Sequence, residues 1–163
     1  MIDQGGLAQD LMLAHRILTR GLRVVVDALN RSPEELSDRG FILYLSCLMK
    51  TLEAHHRVED VCMFPDWNAI VPTAPYTVLE REHLAIATAL GSLGPCLGPT
   101  GDASSDSATA LGCLDTIQMV WQPHIRIEED HFTRAAFDQR LSPSEQESAA
   151  TRYAAFNLPL VGD

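Results

Sequence analysis

The chain is poor in lysine, in paired cysteines and in long apolar runs, and each shortage excludes something. Lys50 stands alone against eleven arginines, and 22 acidic side chains bring the net charge to −10 over 163 residues. So acidic a chain argues against nucleic acid or an anionic membrane as a partner and mildly favours cations. The four cysteines, Cys47, Cys62, Cys96 and Cys113, form no CxxC pair and no framework spacing, so neither disulfides nor a soft thiolate site is expected. Free thiols lead to the expectation of a cytoplasmic protein. No apolar run is long enough to span a bilayer, and the MIDQGG start lacks the basic flank and apolar stretch of a signal peptide. Alternating strand patterns, internal repeats and low-complexity tracts are missing too. What is present, 46% hydrophobic and 21% charged residues, is the composition of a globular chain. Residues 1–163 form a single expected domain with a sizeable core.

Helical periodicity dominates. A first helix is expected from about Gly6 to Asn30, with Ala8, Leu11, His15, Leu18, Leu22, Val25 and Leu29 along one stripe. Ser32-Pro33-Glu34-Glu35 reads as a helix start, with an N-cap serine and proline at N1. That second helix continues to Phe64, interrupted if anywhere near Ser37–Gly40, and Pro65 ends it. A third runs from about Pro75 to Gly94. Residues 94–107 then read as a loop rich in glycine, proline and serine. A fourth is expected over Ala108–Phe137, kinked by Pro123. A short terminal helix follows from Ser142 to Ala155. The predicted class is all-α: an up-down-up-down four-helix bundle over about 7–140, with a short C-terminal helix and tail over 141–163.

Each long helix carries one histidine in the middle of its apolar stripe: His15, His55, His83 and His124. Two have a glutamate four residues on, Glu59 and Glu128, which a helix places on the same face. Imidazoles and carboxylates aimed into a core are costly unless something satisfies them. Depth supports convergence. Glu59 lies six residues before Pro65 and His83 eight after Pro75, so at ~1.5 Å per residue both sit about 10 Å from one end of the bundle. The four histidines therefore meet in one layer. Nitrogen and oxygen donors of this kind suit iron, zinc or manganese, and two mid-bundle glutamates suit a bridged metal pair.

The run HHRVEDVCMFP over 55–65 resembles the HHxxEExxLFP signature of hemerythrin-like HHE cation-binding domains. HIRIEEDHF over 124–132 resembles that family's second HIxxEE element, and Glu82-His83 its third-helix EH pair. The resemblance covers roughly residues 7–140. It implies a hemerythrin-like bundle in which His15, His55, Glu59, His83, His124 and Glu128 hold the metal, the two glutamates bridging a di-iron centre. Glu129 is the alternative to Glu128, since hemerythrins use a carboxylate five residues after this histidine. Oxygen-carrying hemerythrins have a further histidine where Ala87 stands, which implies an open metal position and disfavours reversible oxygen transport.

The remaining polar groups have blander readings. His56 points about 100° away from His55 and reads as a surface or supporting group, as do Asp60 and Asp130. Cys62 and His131 lie seven residues beyond proposed ligands, and Glu80 one turn before His83. These three are candidate pocket residues. Trp121 reads as core packing beside the site, and Tyr44 is too far along the axis to ligate. The expected partners are metal ions together with dioxygen, peroxide or a small-molecule substrate. The expected chemistry is that of a metal-dependent oxidoreductase. A dedicated iron or zinc enzyme on an organic molecule, with lyase or isomerase chemistry included, is the alternative. An iron or oxygen sensor, or a structural metal domain, is the third reading.

Overall fold

The computed structural model describes residues 6–97 and 103–161, and every regular element among them is helical. α1 spans Leu7–Arg31, α2 Arg39–Val58, α3 Phe64–Trp67, α4 Tyr76–Leu93, α5 Ala103–His131, α6 Arg134–Asp138 and α7 Pro143–Val161. The long helices α1, α2, α4 and α5 make the expected bundle, and α7 packs along α2. Chain direction follows from two contacts. Ser107, near the start of α5, donates to the Pro33 carbonyl just past the end of α1 at 2.6 Å. Near the other end of α5, Glu129 meets His15 at 3.0 Å. No described helix is long and apolar enough to cross a membrane.

The element boundaries differ from the sequence expectation at four places. Ser32 caps nothing: Pro33–Ser37 is a 3-10 turn, and α2 starts after Asp38, whose Oδ1 accepts from the Phe41 N–H at 2.8 Å. The interruption foreseen near Gly40 is therefore a true break. Further on, α2 does not continue regularly to Phe64. Glu59–Met63 is a π-turn, closed by the Phe64 N–H donating to the Glu59 carbonyl. Pro65 has no N–H, and its ring would strike a carbonyl in a normal α-turn, so a widened turn ahead of it relieves the clash. Next, α5 starts at Ala103 rather than Ala108 and stops at His131, with Phe137 in the separate α6. Thr133 caps α6 through an Ala136 N–H bond of 3.2 Å. Of the expected loop, residues 98–102 lie outside the described residues. Finally, α7 runs to Val161 rather than Ala155. α5 continues through Pro123 without a break.

Two apolar clusters fill the bundle. One gathers Leu18, Leu22, Leu29, Leu52, Ile86, Leu93, Leu114 and Trp121. The other gathers Leu11, Val58, Phe64, Trp67, Leu79, Phe132 and Phe137. Each buried side chain of this size contributes about 1.5–3 kcal/mol. On α1 the first cluster ends at Leu18 and the second at Leu11. On α2 the limits are Leu52 and Val58, on α4 Ile86 and Leu79, and along α5 Trp121 and Phe132, the residue just past its end. His15, His55, His83 and His124 occupy the gap on each helix. The bundle is two apolar halves with a polar layer between them.

Candidate metal centre

All four histidines in the layer are buried, and so are Glu59 and Glu128, both 0% exposed. His15 Nε2 lies 3.1 Å from a Glu128 oxygen, and His55 Nε2 lies 3.2 Å from Glu59 Oε1. The opposite Glu59 oxygen is 3.4 Å from His83 Nε2, and His124 Nε2 is 3.4 Å from Glu128 Oε2. His56 belongs to the layer as well. It is 5% exposed, and its ring stacks on His83 at 4.1 Å between centroids. The reading of His56 as a surface group is therefore corrected. Glu59 lies three residues after His56 and four after His55, and both spacings place side chains together on a helix. One glutamate thus has an imidazole on each side.

These residues resolve into two groups that share Glu59. In one, His56, Glu59, His83 and His124 each offer an atom within 4.8 Å of the others. In the other, His15, His55, Glu59 and Glu128 do the same. Trp121 closes the layer from one side, its ring 5.6 Å from that of His15 and 5.9 Å from that of His56. Its indole N–H donates to Thr19 Oγ1 at 2.8 Å. From the other side Phe64 stacks on His83.

The hydrogen bonding around the layer fixes the chemistry of its centre. His15 Nδ1 faces Glu129 at 3.0 Å, His83 Nδ1 faces Asp60 at 2.7 Å, and His124 Nδ1 faces Glu82 at 3.1 Å. A carboxylate accepts, so each Nδ1 carries the proton and each Nε2 keeps its lone pair. The Nε2 atoms of His83 and His124 then confront each other at 3.1 Å with no proton between them. Eight buried side-chain polar atoms among the described residues lack a hydrogen-bond partner. Seven belong to His15, His55, His56, Glu59 and Glu128, and the eighth is the Trp67 indole nitrogen. An unmade bond on a buried polar atom costs about 1–3 kcal/mol, so seven such nitrogen and oxygen atoms gathered in one layer fit a cationic group.

Without a cation the ionisation of the layer is strained. Burial holds His55 and His56 well below the usual imidazole range, and the neighbouring imidazoles push the same way. Burial also lowers His124. Glu59 is pushed well above the usual carboxylate range, first by burial and then by Glu128 and Asp60.

Other candidates stand apart. Glu129 takes the outer nitrogen of His15 while Glu128 reaches the inner one, so the geometry separates their roles. Ala87 is exposed and borders no vacancy: the inward stripe of α4 passes from His83 to Ile86. The imidazole stacked on His83 comes instead from α2, from His56. Glu80 is exposed and lines an outer groove with Asp60 and Tyr76. His131 Nδ1 donates to the Ile127 carbonyl at 2.8 Å, which turns its ring to its own helix. Cys62 is half-buried in the π-turn. Asp130 and Tyr44 are exposed.

A helical bundle with a mid-layer of imidazoles and carboxylates, protons turned outward and lone pairs inward, is a cation-binding bundle. Residues 7–136 match the hemerythrin HHE cation-binding domain, and the chain belongs to that family of non-haem metal-binding domains. α7 lies beyond the match. No curated protein and no solved structure matches the chain.

Proposed function

We propose that the chain holds two iron ions, one in each group of ligands, and reacts there with dioxygen, peroxide or a small-molecule substrate. The observation that carries this reading is the set of seven unpartnered atoms around Glu59 and Glu128. Glu59 serves both groups, which supports a pair of ions over one. Nitrogen and carboxylate donors without thiolate suit iron and also manganese and zinc, of which zinc has no redox change to offer an oxidoreductase. Iron supplies Lewis acidity and a one-electron redox change.

The chain's own residues do the rest. His56, His83 and His124 give one ion three nitrogens and a share of Glu59. His15 and His55 give the other only two nitrogens, with Glu59 and Glu128. The poorer nitrogen set is the one placed to accept an external ligand. Glu129, Asp60 and Glu82 hold the rings in one tautomer and make them better donors. Trp121 and Phe64 keep bulk water out.

Metal analysis and an absorption spectrum of freshly purified protein test the reading. Two irons per chain with visible charge-transfer bands are expected. One zinc per chain with a featureless visible spectrum would overturn it.

A further inference from the structure

The layer meets the exterior on the two flanks of α1, and both approaches end on the His15–His55 group. Between α1 and α5 a groove of about 590 Å³ reaches His15 and Glu129 and is lined by Arg16, Arg20 and Arg23. Between α1, α2 and α7 lies a smaller chamber of about 270 Å³, open to the exterior on one side, that ends on His55. Neither includes His56, His83 or His124. The chamber wall is apolar: Leu11, Ala14, Val58 and Met63 on one side, Ala150 and Ala154 of α7 on the other. Asp10 stands among its lining residues, and a carboxyl group beside an apolar wall makes the chamber a poor place for an anion. Of the imidazoles in the layer, His55 has the most exposed ring, its side chain 10% exposed.

We infer that this chamber is a binding site for a small uncharged molecule, and that α7, an addition outside the family domain, sets how large that molecule is. The inference rests on the proposed metal reading for what the molecule meets beyond His55, but the chamber itself does not. The volume is below that of sites for drug-sized ligands, and an apolar wall favours a gas or a compact neutral organic molecule over an ion. The α7 side of the chamber is Ala150, Tyr153 and Ala154, the two alanines leaving space that a larger side chain would fill. Ala150 is half-buried against the second apolar cluster, so a larger side chain there enters the chamber. Ala150 and Ala154 are specificity-determining positions, and the arginine groove on the other flank is not the route for neutral ligands.

Two measurements test this, each with wild type, Ala150→Leu, Ala154→Phe and Arg16→Ala. In metal-free protein, xenon pressure is expected to shift the NMR signal of the His55 ring proton, in wild type and Arg16→Ala. Ala150→Leu, or Ala154→Phe should the first fail to fold, is expected to remove that shift. A wild-type protein with no xenon response at His55 overturns the chamber. In ferrous-loaded protein of equal iron content, the visible change on mixing with nitric oxide is expected to slow about tenfold in the α7 variants and not in Arg16→Ala. The reverse pattern overturns the assignment of the route. A xenon response in a protein that takes up no iron overturns the metal reading and leaves the chamber standing.

Discussion

At the scale of the residue, the centre depends on how two adjacent histidines share one glutamate. His55 and His56 flank Glu59, so α2 contributes a donor to each group and the shared carboxylate between them. Removing them should therefore have different consequences. His56→Ala is expected to halve the bound metal by emptying the group with His83 and His124, and His15→Ala to halve it by emptying the other. Glu59→Gln should remove nearly all of it; equal metal content in all three variants would sink the two-group arrangement. Glu59 also predicts a proton count. Burial raises its pKa well above the carboxylate range, while His55, His56 and His124 are depressed and already neutral near pH 7. A cation must expel the Glu59 proton but none from these imidazoles. Affinity should thus climb with pH from the ordinary carboxylate range up through the raised Glu59 pKa, because proton and metal compete for the same oxygens. Titration calorimetry in buffers of different ionisation heat measures that release, and a value near zero at acid pH would contradict the shift. The HxxxE spacing made Glu59 legible in the sequence. His56 was not, because the 100° step from His55 hides the equally good three-residue step to Glu59.

At the scale of the element, the π-turn decides which residues of the second helical stretch face inward. Up to Glu59 the α-helical stripe holds, and Leu48, Leu52, His55 and Glu59 are all buried. The extra residue in the turn rotates everything after it by about 100°. That rotation carries Cys62 off the stripe on which its seven-residue spacing from His55 would place it, and brings Met63, Phe64 and Trp67 into the core. Periodicity cannot reveal such a turn, since nothing in the spacing marks the added residue except Pro65 downstream. On α4, a regular helix, the buried stripe is carried from His83 to Ile86, so its neighbour Ala87 faces solvent. Deleting Val61, which is 56% exposed, should restore a regular helix and turn Phe64 and Trp67 outward. Losing the burial of both is expected to cost about 3–6 kcal/mol. Chemical denaturation measures it; a loss under about 1 kcal/mol would mean that the turn is not what seats these rings. A milder test sits at the other end of α2. Asp38→Ala removes the cap on Phe41 and is expected to cost about 1 kcal/mol.

At the scale of the whole molecule, the polar layer divides a core that is otherwise continuous in kind. The arrangement was legible in outline because four stripe-centred histidines at matched depth are an unusual pattern for an apolar face. The long-range pairings were not: Asp60 reads from the sequence as a surface or supporting group, but which histidine Asp60, Glu82 and Glu129 each serves is recognisable only once helices from distant parts of the chain are side by side. The layer also predicts how the protein answers to loss of its cation. Seven unpartnered atoms oppose folding when nothing fills the centre, yet the apolar clusters above and below it involve none of them. Chelation should therefore leave the helical circular dichroism near 25 °C largely intact while lowering the melting temperature. Restoring metal at a hundred times its dissociation constant should return about 2.7 kcal/mol for each ion bound by mass action. The sign for Glu59→Gln then depends on loading. In metal-free protein it replaces an acid whose charge is opposed first by burial and then by Glu128 with an amide that is neutral at every pH, and at a pH above the raised Glu59 pKa it is expected to raise the melting temperature. In metal-treated protein the same change removes the shared ligand and is expected to lower it relative to wild type. Thermal denaturation of both proteins, with and without chelator, reads the four values. A substitution that shifts stability in the same direction under both conditions would show that Glu59 serves the fold and not the cation.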